Sequence, residues 1–116
     1  MQKHLRMEWI EKLDGNVIVS DAAGKIIYMN EKAISAYEKD GGKNLIGNDL
    51  LACHSESSRK KIMEIITSGR KNIYTIEKKG KKKIIYQSPW FVNGSFRGII
   101  EFSLEIPVEM PHYVRE

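Results

Sequence analysis

The chain has little with which to cross-link itself, span a bilayer or run a familiar catalytic cycle. Among its 116 residues is a single cysteine, Cys53, so no internal disulfide can form, which agrees with a reducing compartment. No apolar run approaches the ~20 residues that a membrane-spanning helix requires, and Met1 to Arg6 lead into no apolar signal-peptide core. The cytoplasm is therefore the expected location, with no membrane partner. Also missing are the Gly-x-x-x-x-Gly-Lys-Ser/Thr phosphate loop, the His-Glu-x-x-His zinc motif, the Gly-x-Ser-x-Gly elbow and any Cys-x-x-Cys pair. Carboxylates are scattered without a visible pair, so no catalytic residues are expected and the chain reads as a non-enzyme. Zinc on Cys53 and His54 would need further ligands, and the remaining histidines, His4 and His112, stand at opposite ends of the chain. No internal repeat or low-complexity block is present.

What is there suits one ordinary globular domain: 41% hydrophobic and 29% charged residues in a length that supports one core, burying roughly two thirds of the surface the unfolded chain exposes. The net charge is +4, and five of the nineteen basic residues crowd into Lys78-Lys79-Gly80-Lys81-Lys82-Lys83. Such a run can bind phosphates without reading sequence, yet no helix-turn-helix, zinc finger or aromatic-rich basic motif accompanies it. It reads as a solvated hairpin, with Gly80 at a positive-φ turn position and lysines that discourage edge-to-edge sheet association. Nucleic acid is not an expected partner.

Leu5, Trp9, Ile10 and Leu13 recur at helical spacing over residues 2 to 13 before Asp14-Gly15 breaks the pattern. An amphipathic leading helix is expected, its apolar stripe packed either on a second copy or on the sheet of its own chain. Asn16 to Ser20 and Lys25 to Met29 read as strands joined by a turn that uses Asp21 and Gly24. Asn30 stands at an N-cap position, with Glu31 suited to the positive end of the dipole of a short helix, Glu31 to Tyr37. Asp40-Gly41-Gly42-Lys43 reads as a flexible connector, after which Leu45, Ile46, Leu50 and Leu51 supply apolar anchors. A longer helix follows, capped by Ser55 or Ser57, apolar at Ile62, Ile65 and Ile66, and ended by Gly69.

From Lys71 the period changes to two. Tyr74 and Ile76 share one side of a strand, Tyr86, Ser88 and Trp90 one side of the next, and Phe96, Ile100, Phe102 and Leu104 one side of the last. Arg97, Glu101, Ser103 and Glu105 alternate with the latter and are expected on the wet face. Asn93-Gly94 is a strong type I′ hairpin signal. With the two early strands, these make a five-stranded antiparallel sheet covered on one face by helices, an α+β fold.

The run Val17-Ile18-Val19-Ser20-Asp21, then Gly24, Ile26 to Asn30 and Ala33, resembles the opening of a PAS domain: a strand ending in Asp, a turn with Gly, a strand ending in Tyr-x-Asn and a small helix. Asn44-Leu45-Ile46-Gly47-Asn48-Asp49 matches the family's lead into its later helices, and three closing strands follow, so the resemblance covers most of the chain. It implies an N-terminal helix over residues 1–14, a single PAS domain over 15–107 and a tail over 108–116. It further implies a signal-sensing module that binds a small ligand or mediates protein contacts, as a homodimer. The family's common Asp-Ile-Thr junction toward an output helix is replaced by Glu105-Ile106-Pro107. The expected signalling partner therefore acts in trans or lies in a longer chain.

The hollow between helices and sheet is where the family holds its ligands, and the resemblance places Tyr28, His54, Ile62, Ile66, Tyr74, Tyr86, Trp90, Ile100 and Phe102 around it. Leu5, Trp9, Ile10 and Leu13 are the expected dimer interface. The aromatic side chains could wall a cavity or fill it as core, and a ligand-free interaction domain is the rival function. The cofactor is unknown. His54 lies near the region where some PAS domains ligate haem, so a haem sensor is a further alternative to a structural histidine. LOV-type flavin chemistry is disfavoured, because its Gly-x-Asn-Cys-Arg-Phe-like motif is absent: Gly47 is followed by Asn48, Asp49 and Leu50. Cys53 reads as a small buried hydrophobe, with a redox-sensing thiol as the alternative.

Overall fold

Two strands and an Asx turn set the frame of the molecule. β1 (Asn16–Ser20) pairs antiparallel with β2 (Ile26–Met29), Ile18 opposite Met29. Between them the Asp21 carboxylate accepts hydrogen bonds from the N–H groups of Ala23 at 3.0 Å and Lys25 at 2.9 Å, so the turn is held by a side chain that mimics backbone. The computed structural model describes residues 2–50 and 56–116. Leu51, Cys53, His54 and Ser55 fall outside the described residues, as does the side chain of Leu5.

Asn30 is fully buried and ties three elements together. Its Oδ1 accepts from Ala33 N–H as the N-cap of α2 (Glu31–Ala36) and from Val17 N–H in β1; its Nδ2 donates to the carbonyls of Ile10 and Gly15. The leading helix α1 (Gln2–Glu11) is thereby stitched to the domain at its C-terminal end. Two 3₁₀ turns, Glu38–Asp40 and Gly42–Leu45, follow α2 in the stretch expected to be a flexible connector. The next residues run back along β2: Ile26 N–H donates to Asn48 O, and Gly47 N–H to Ile26 O. Leu45 and Leu50 are buried, whereas Ile46 is exposed.

The long helix α3 (Glu56–Ser68) ends at Gly69, whose φ is +71°. Ser57 lies inside its first turn and is not its cap. Three antiparallel strands follow: β3 (Asn72–Lys78), β4 (Lys81–Val92) and β5 (Ser95–Ile106). Both hairpins turn on two positive-φ residues, Lys79-Gly80 and Asn93-Gly94, the type I′ geometry that matches strand twist. The sheet order is β2-β1-β5-β4-β3, so β5 closes the fold by pairing with β1.

The two faces of this sheet are distinguished by their registers. Ile18 pairs with Glu101 and belongs to a buried cluster with Ile26, Met29, Ala33, Leu45, Leu50, Ile62, Ile65 and Ile99. Because α2 and α3 contribute Ala33, Ile62 and Ile65 to that cluster, the face carrying Ile18, Ile85, Gln87, Ile99 and Glu101 is the inner one. The alternation on β4 and β5 then points Ile84, Tyr86, Trp90, Ile100, Phe102 and Leu104 outward, away from α3. This reverses the expectation for β5: Glu101 is only 7% exposed, while its apolar neighbours occupy the face without the core helices.

A bulge between Trp90 and Phe91 also moves Phe96. Phe96 pairs with Phe91 and packs on the inner cluster, and it does not share a side with Ile100 and Phe102 as strict alternation predicts. At the bulge, Gly98 has φ +149°, and an added Cβ there would sit 1.9 Å from the Ser20 carbonyl oxygen. That oxygen accepts from Trp90 Nε1–H at 3.2 Å, and Ser20 Oγ accepts from Ile99 N–H at 3.1 Å. Only glycine leaves room for this approach of β1 to β5.

Candidate ligand site on the inner sheet face

The helix-covered face carries polar side chains in its middle. Asn72, Gln87 and Glu101 stand in one row across β3, β4 and β5. Asn72 Nδ2 donates to Gln87 Oε1 at 2.8 Å, and Gln87 Nε2 donates to Glu101 Oε2 at 2.5 Å. Each bond orients the next: the Glu101 carboxylate draws the amide N–H₂ of Gln87, which leaves the Gln87 oxygen for Asn72. Gln87 is 1% exposed, so the amide is almost wholly removed from water and depends on these two partners. The row continues onto β1 as Ile18 and onto β2 as Met29.

Where α3 passes β3, this row reaches a hollow of about 310 Å³ lined by Ser57, Lys61, Asn72 and Tyr74. A second hollow of about 380 Å³ shares Lys61 and Asn72 and adds Glu64, Ile65 and Arg70. Lys61 Nζ lies 3.9 Å from Glu64 Oε2 in an exposed pair, a contact that contributes little in water. Both hollows therefore present the Lys61 ammonium and the Asn72 amide, while Gln87 and Glu101 are buried behind Asn72 and line neither of them. Among the described residues no group of three or more His, Cys, Asp or Glu side chains is placed to hold a metal ion.

Of the side chains expected around one hollow, the structure places Ile62, Ile66 and Tyr74 on the inner side. Ile62 is buried core, Ile66 packs against the core half-buried, and Tyr74 lines the hollow. Tyr28, Tyr86, Trp90, Ile100 and Phe102 face outward, and His54 lies outside the described residues. The physical reason is the core cluster itself: Ile99 and Ile18 fill the inner positions beside α3, so the intervening residues of β5 must point away. Asn72, Gln87 and Glu101 were not among the sequence candidates, because an isolated polar residue in an alternating strand reads as solvent-facing; nor was Lys61, a charged residue on the exposed side of α3.

The outer face has its own geometry. Ile84, Tyr86, Phe102 and Leu104, all half-buried, line an apolar hollow of about 320 Å³. Tyr28, at the β2 edge of the same face, donates its hydroxyl to Glu11 Oε2 at 2.8 Å, joining the sheet to α1. Burial, and then this bond to a carboxylate, push the Tyr28 phenol up to about 12. Lys12 is held above the ordinary lysine value by its hydrogen bond to Glu31. On α1, Met7 and Trp9 are exposed, Trp9 by 67%, and Ile10 is half-buried, as is Leu13 just beyond the end of the helix.

Comparison with solved structures recognises this architecture. A sensory box sensor histidine kinase from Vibrio cholerae superposes with a TM-score of 0.64 at 15% identity, over 92% of this chain and 94% of its own. The PAS domain of the histidine kinase ThkA gives 0.64 at 18% identity, over 78% and 98% of the two chains. VqmA, solved bound to DPO, gives 0.66 at 15% identity, over 89% of this chain but 57% of its own. The chain thus spans little more than half of the VqmA chain. No family model and no curated protein matches the sequence. The fold is the PAS fold, an α+β architecture with a five-stranded antiparallel sheet.

Proposed function

We propose that this PAS domain is a non-enzymatic signal-sensing module that holds a small ligand between α3 and the inner face of the sheet. The supporting observation is the Asn72-Gln87-Glu101 row, half-buried at Asn72 and buried at Gln87 and Glu101, which brings hydrogen-bonding chemistry under the helix that an apolar core alone would not require. Its end at Asn72 opens into the α3–β3 hollow, so a ligand that engages Asn72 competes with Gln87 for the same amide. Gln87 then changes its hold on Glu101, which neighbours Ile18 of β1. The consequence is a population shift: a ligand with different affinity for two arrangements of the row biases the sheet toward one of them. Free ligand at ~100 times its dissociation constant contributes ~2.7 kcal/mol to the state it prefers.

The output surface in this reading is the outer face together with α1. Trp9, Ile10 and Leu13 meet a second copy in a homodimer, and a signalling partner, in trans or in a longer chain, reads the change. Support comes from the exposed Trp9 and from the half-exposed apolar strip at Ile84, Tyr86, Phe102 and Leu104. VqmA is described as a dimer and as bound to DPO. Among the described residues no helix is long and apolar enough to cross a membrane, and we assign the module to the cytoplasm.

Thermal-shift screening against metabolite mixtures, paired with mass spectrometry of co-purified small molecules, tests the reading. A ligand that raises the melting temperature of the wild type and loses this effect in Asn72→Ala supports it. Dimerisation with an unchanged dissociation constant, and no ligand from either assay, would instead support the ligand-free interaction domain that the outer face favours. A Soret band lost in His54→Ala would reassign the ligand to haem.

A further inference from the structure

We infer that the open edge of β3 is a docking site for an acidic peptide segment in extended form, which adds to the sheet as a further strand. The two edges of the sheet differ. Along β2 the chain that follows closes the edge: Ile26 N–H donates to Asn48 O, Gly47 N–H to Ile26 O and Leu50 N–H to Gly24 O. β3 ends the sheet on the other side, and among the described residues no segment pairs with it there. Its hairpin closes on the pair Lys78 and Lys81 around the two-residue turn Lys79-Gly80, so Lys78, Ile76, Tyr74 and Asn72 share their backbone hydrogen bonds with β4. The alternate residues Ile73, Thr75 and Glu77 therefore turn their N–H and C=O groups to the open edge. All of these are exposed, Ile73 by 49%.

Length and composition suit strand addition. β3 runs over seven residues with neither Pro nor Gly, about 24 Å at strand rise, and Ile73, Tyr74, Thr75 and Ile76 favour extended backbone. Charge selects the occupant. Lys61, Arg70 and Lys71 surround the start of the strand, and Lys78 and Lys79 stand at its end. The acidic side chains nearby already face basic ones: Glu64 lies 3.9 Å from Lys61, Glu105 lies 3.9 Å from Lys81, and Glu77 stands opposite Lys82. A second copy is a poor occupant, because antiparallel pairing of two β3 strands sets one basic end against the other, and like charges opposite one another destabilise a sheet. An extended peptide with apolar residues at its centre and carboxylates at both ends fits the whole pattern. Ile73 and Thr75 stand opposite Tyr86 and Ile84 on the outer face, so side chains added beside them extend the apolar strip, and the carboxylates meet the basic groups at either end. This docking is independent of any ligand under α3.

Fluorescence anisotropy on the whole chain with three labelled peptides tests this. The first has two glutamates on each side of a valine-threonine-valine centre, the second has lysines in place of the glutamates, and the third is the first N-methylated at its central residues, which keeps the charge and removes the strand's donors. The first should bind roughly tenfold or more tightly than either of the others, about the worth of one good hydrogen bond, and should weaken as salt rises. On binding, amide exchange should slow at Ile73, Thr75 and Glu77 and stay unchanged at Ile76 and Lys78, which are already bonded to β4. Thr75→Pro removes a donor from the open edge and no bond to β4, a change that an edge strand tolerates, and it should abolish the advantage over the N-methylated peptide, whereas Thr75→Ala should keep it. Should Thr75→Pro fail to fold, Lys71→Glu combined with Lys78→Glu, both exposed, should erase the preference for the acidic over the basic peptide. Equal binding of the acidic peptide and its N-methylated form overturns the inference, since charge alone would then hold the peptide. No binding of the acidic peptide overturns it as well, and so does tighter binding of an oligothymidylate of equal charge, which would assign the basic ends to nucleic acid. A ligand found by metabolite screening would leave the sensing reading standing in each of these cases.

Discussion

Ile99 and Ile100 are chemically identical neighbours on β5, and the fold treats them oppositely. Ile99 is 1% exposed and packed with Ile18, Ile62 and Ile65 under α3, whereas Ile100 points to the outer face and is only half-buried. One residue further, Glu101 returns to the inner side and is 7% exposed, and Phe102 joins the outer strip. The inner face thus mixes isoleucines with a polar row, and the outer face is the more uniformly apolar. A face rich in aromatic and aliphatic side chains need not be the one that helices cover; it is also what a surface meant for another protein looks like.

The sharpest way to break this comparison is to truncate the two isoleucines in turn. Ile99→Ala should cost about 2–5 kcal/mol, through lost transfer energy plus the cavity left beside α3. Ile100→Ala should cost only about 1 kcal/mol, since a half-exposed side chain loses part of the ~1.5–3 kcal/mol of full burial. Urea titrations of both variants measure the gap, and equal losses would mean that the outer face is covered in solution. Gln87→Leu comes next. It removes the partner shared by Asn72 and Glu101 from a site that excludes water and should cost about 1–3 kcal/mol, against little for Ser88→Ala on the opposite face.

On the outer side, Trp9→Ala should leave the unfolding free energy within about 0.5 kcal/mol, as expected for an exposed position. It should also weaken self-association roughly tenfold or more if Trp9 anchors the dimer, which sedimentation across a concentration series would show. The smallest effect is confined to alkaline pH. The Tyr28 phenol is raised from 10.0 to about 12 in the folded chain, so above pH 10 the unfolded state loses a proton that the folded state keeps. The contribution of this group is fully present below pH 10 and is lost as pH rises through about 12. Tyr28→Phe should flatten that alkaline decline; a wild-type slope retained in the variant would place the titrating group elsewhere.

Much of the fold was legible because its signals are local. Asp21 and Gly24, the Asn30 cap, Gly69 at the end of α3 and the Asn93-Gly94 turn each act within a few residues, and each appears where the sequence places it. The candidate site was legible only in fragments. Tyr74, Ile62 and Ile66 lie on the expected side, but the choice of face for β4 and β5 was reversed. Strict counting back from Asn93-Gly94 sets Gln87 opposite Ile100. The bulge at Trp90 and Phe91 shifts the pairing by one, so Gln87 meets Glu101, and Phe96 changes sides with it.

By itself, the sequence determined the elements, their turns and the existence of two unlike faces, since propensity, capping and period-two alternation are written in neighbouring residues. Which face lies beneath α3 was decided by tertiary structure alone. Period two separates the sides of a strand without naming them. The name comes from contacts distant along the chain, Ile62 and Ile65 against Ile18 and Ile99, and from the approach of the Ser20 carbonyl to Gly98 that fixes the bulge. Once those contacts form, Glu101 and Gln87 are carried inside together, and pairing with each other is what lets two such polar groups remain there.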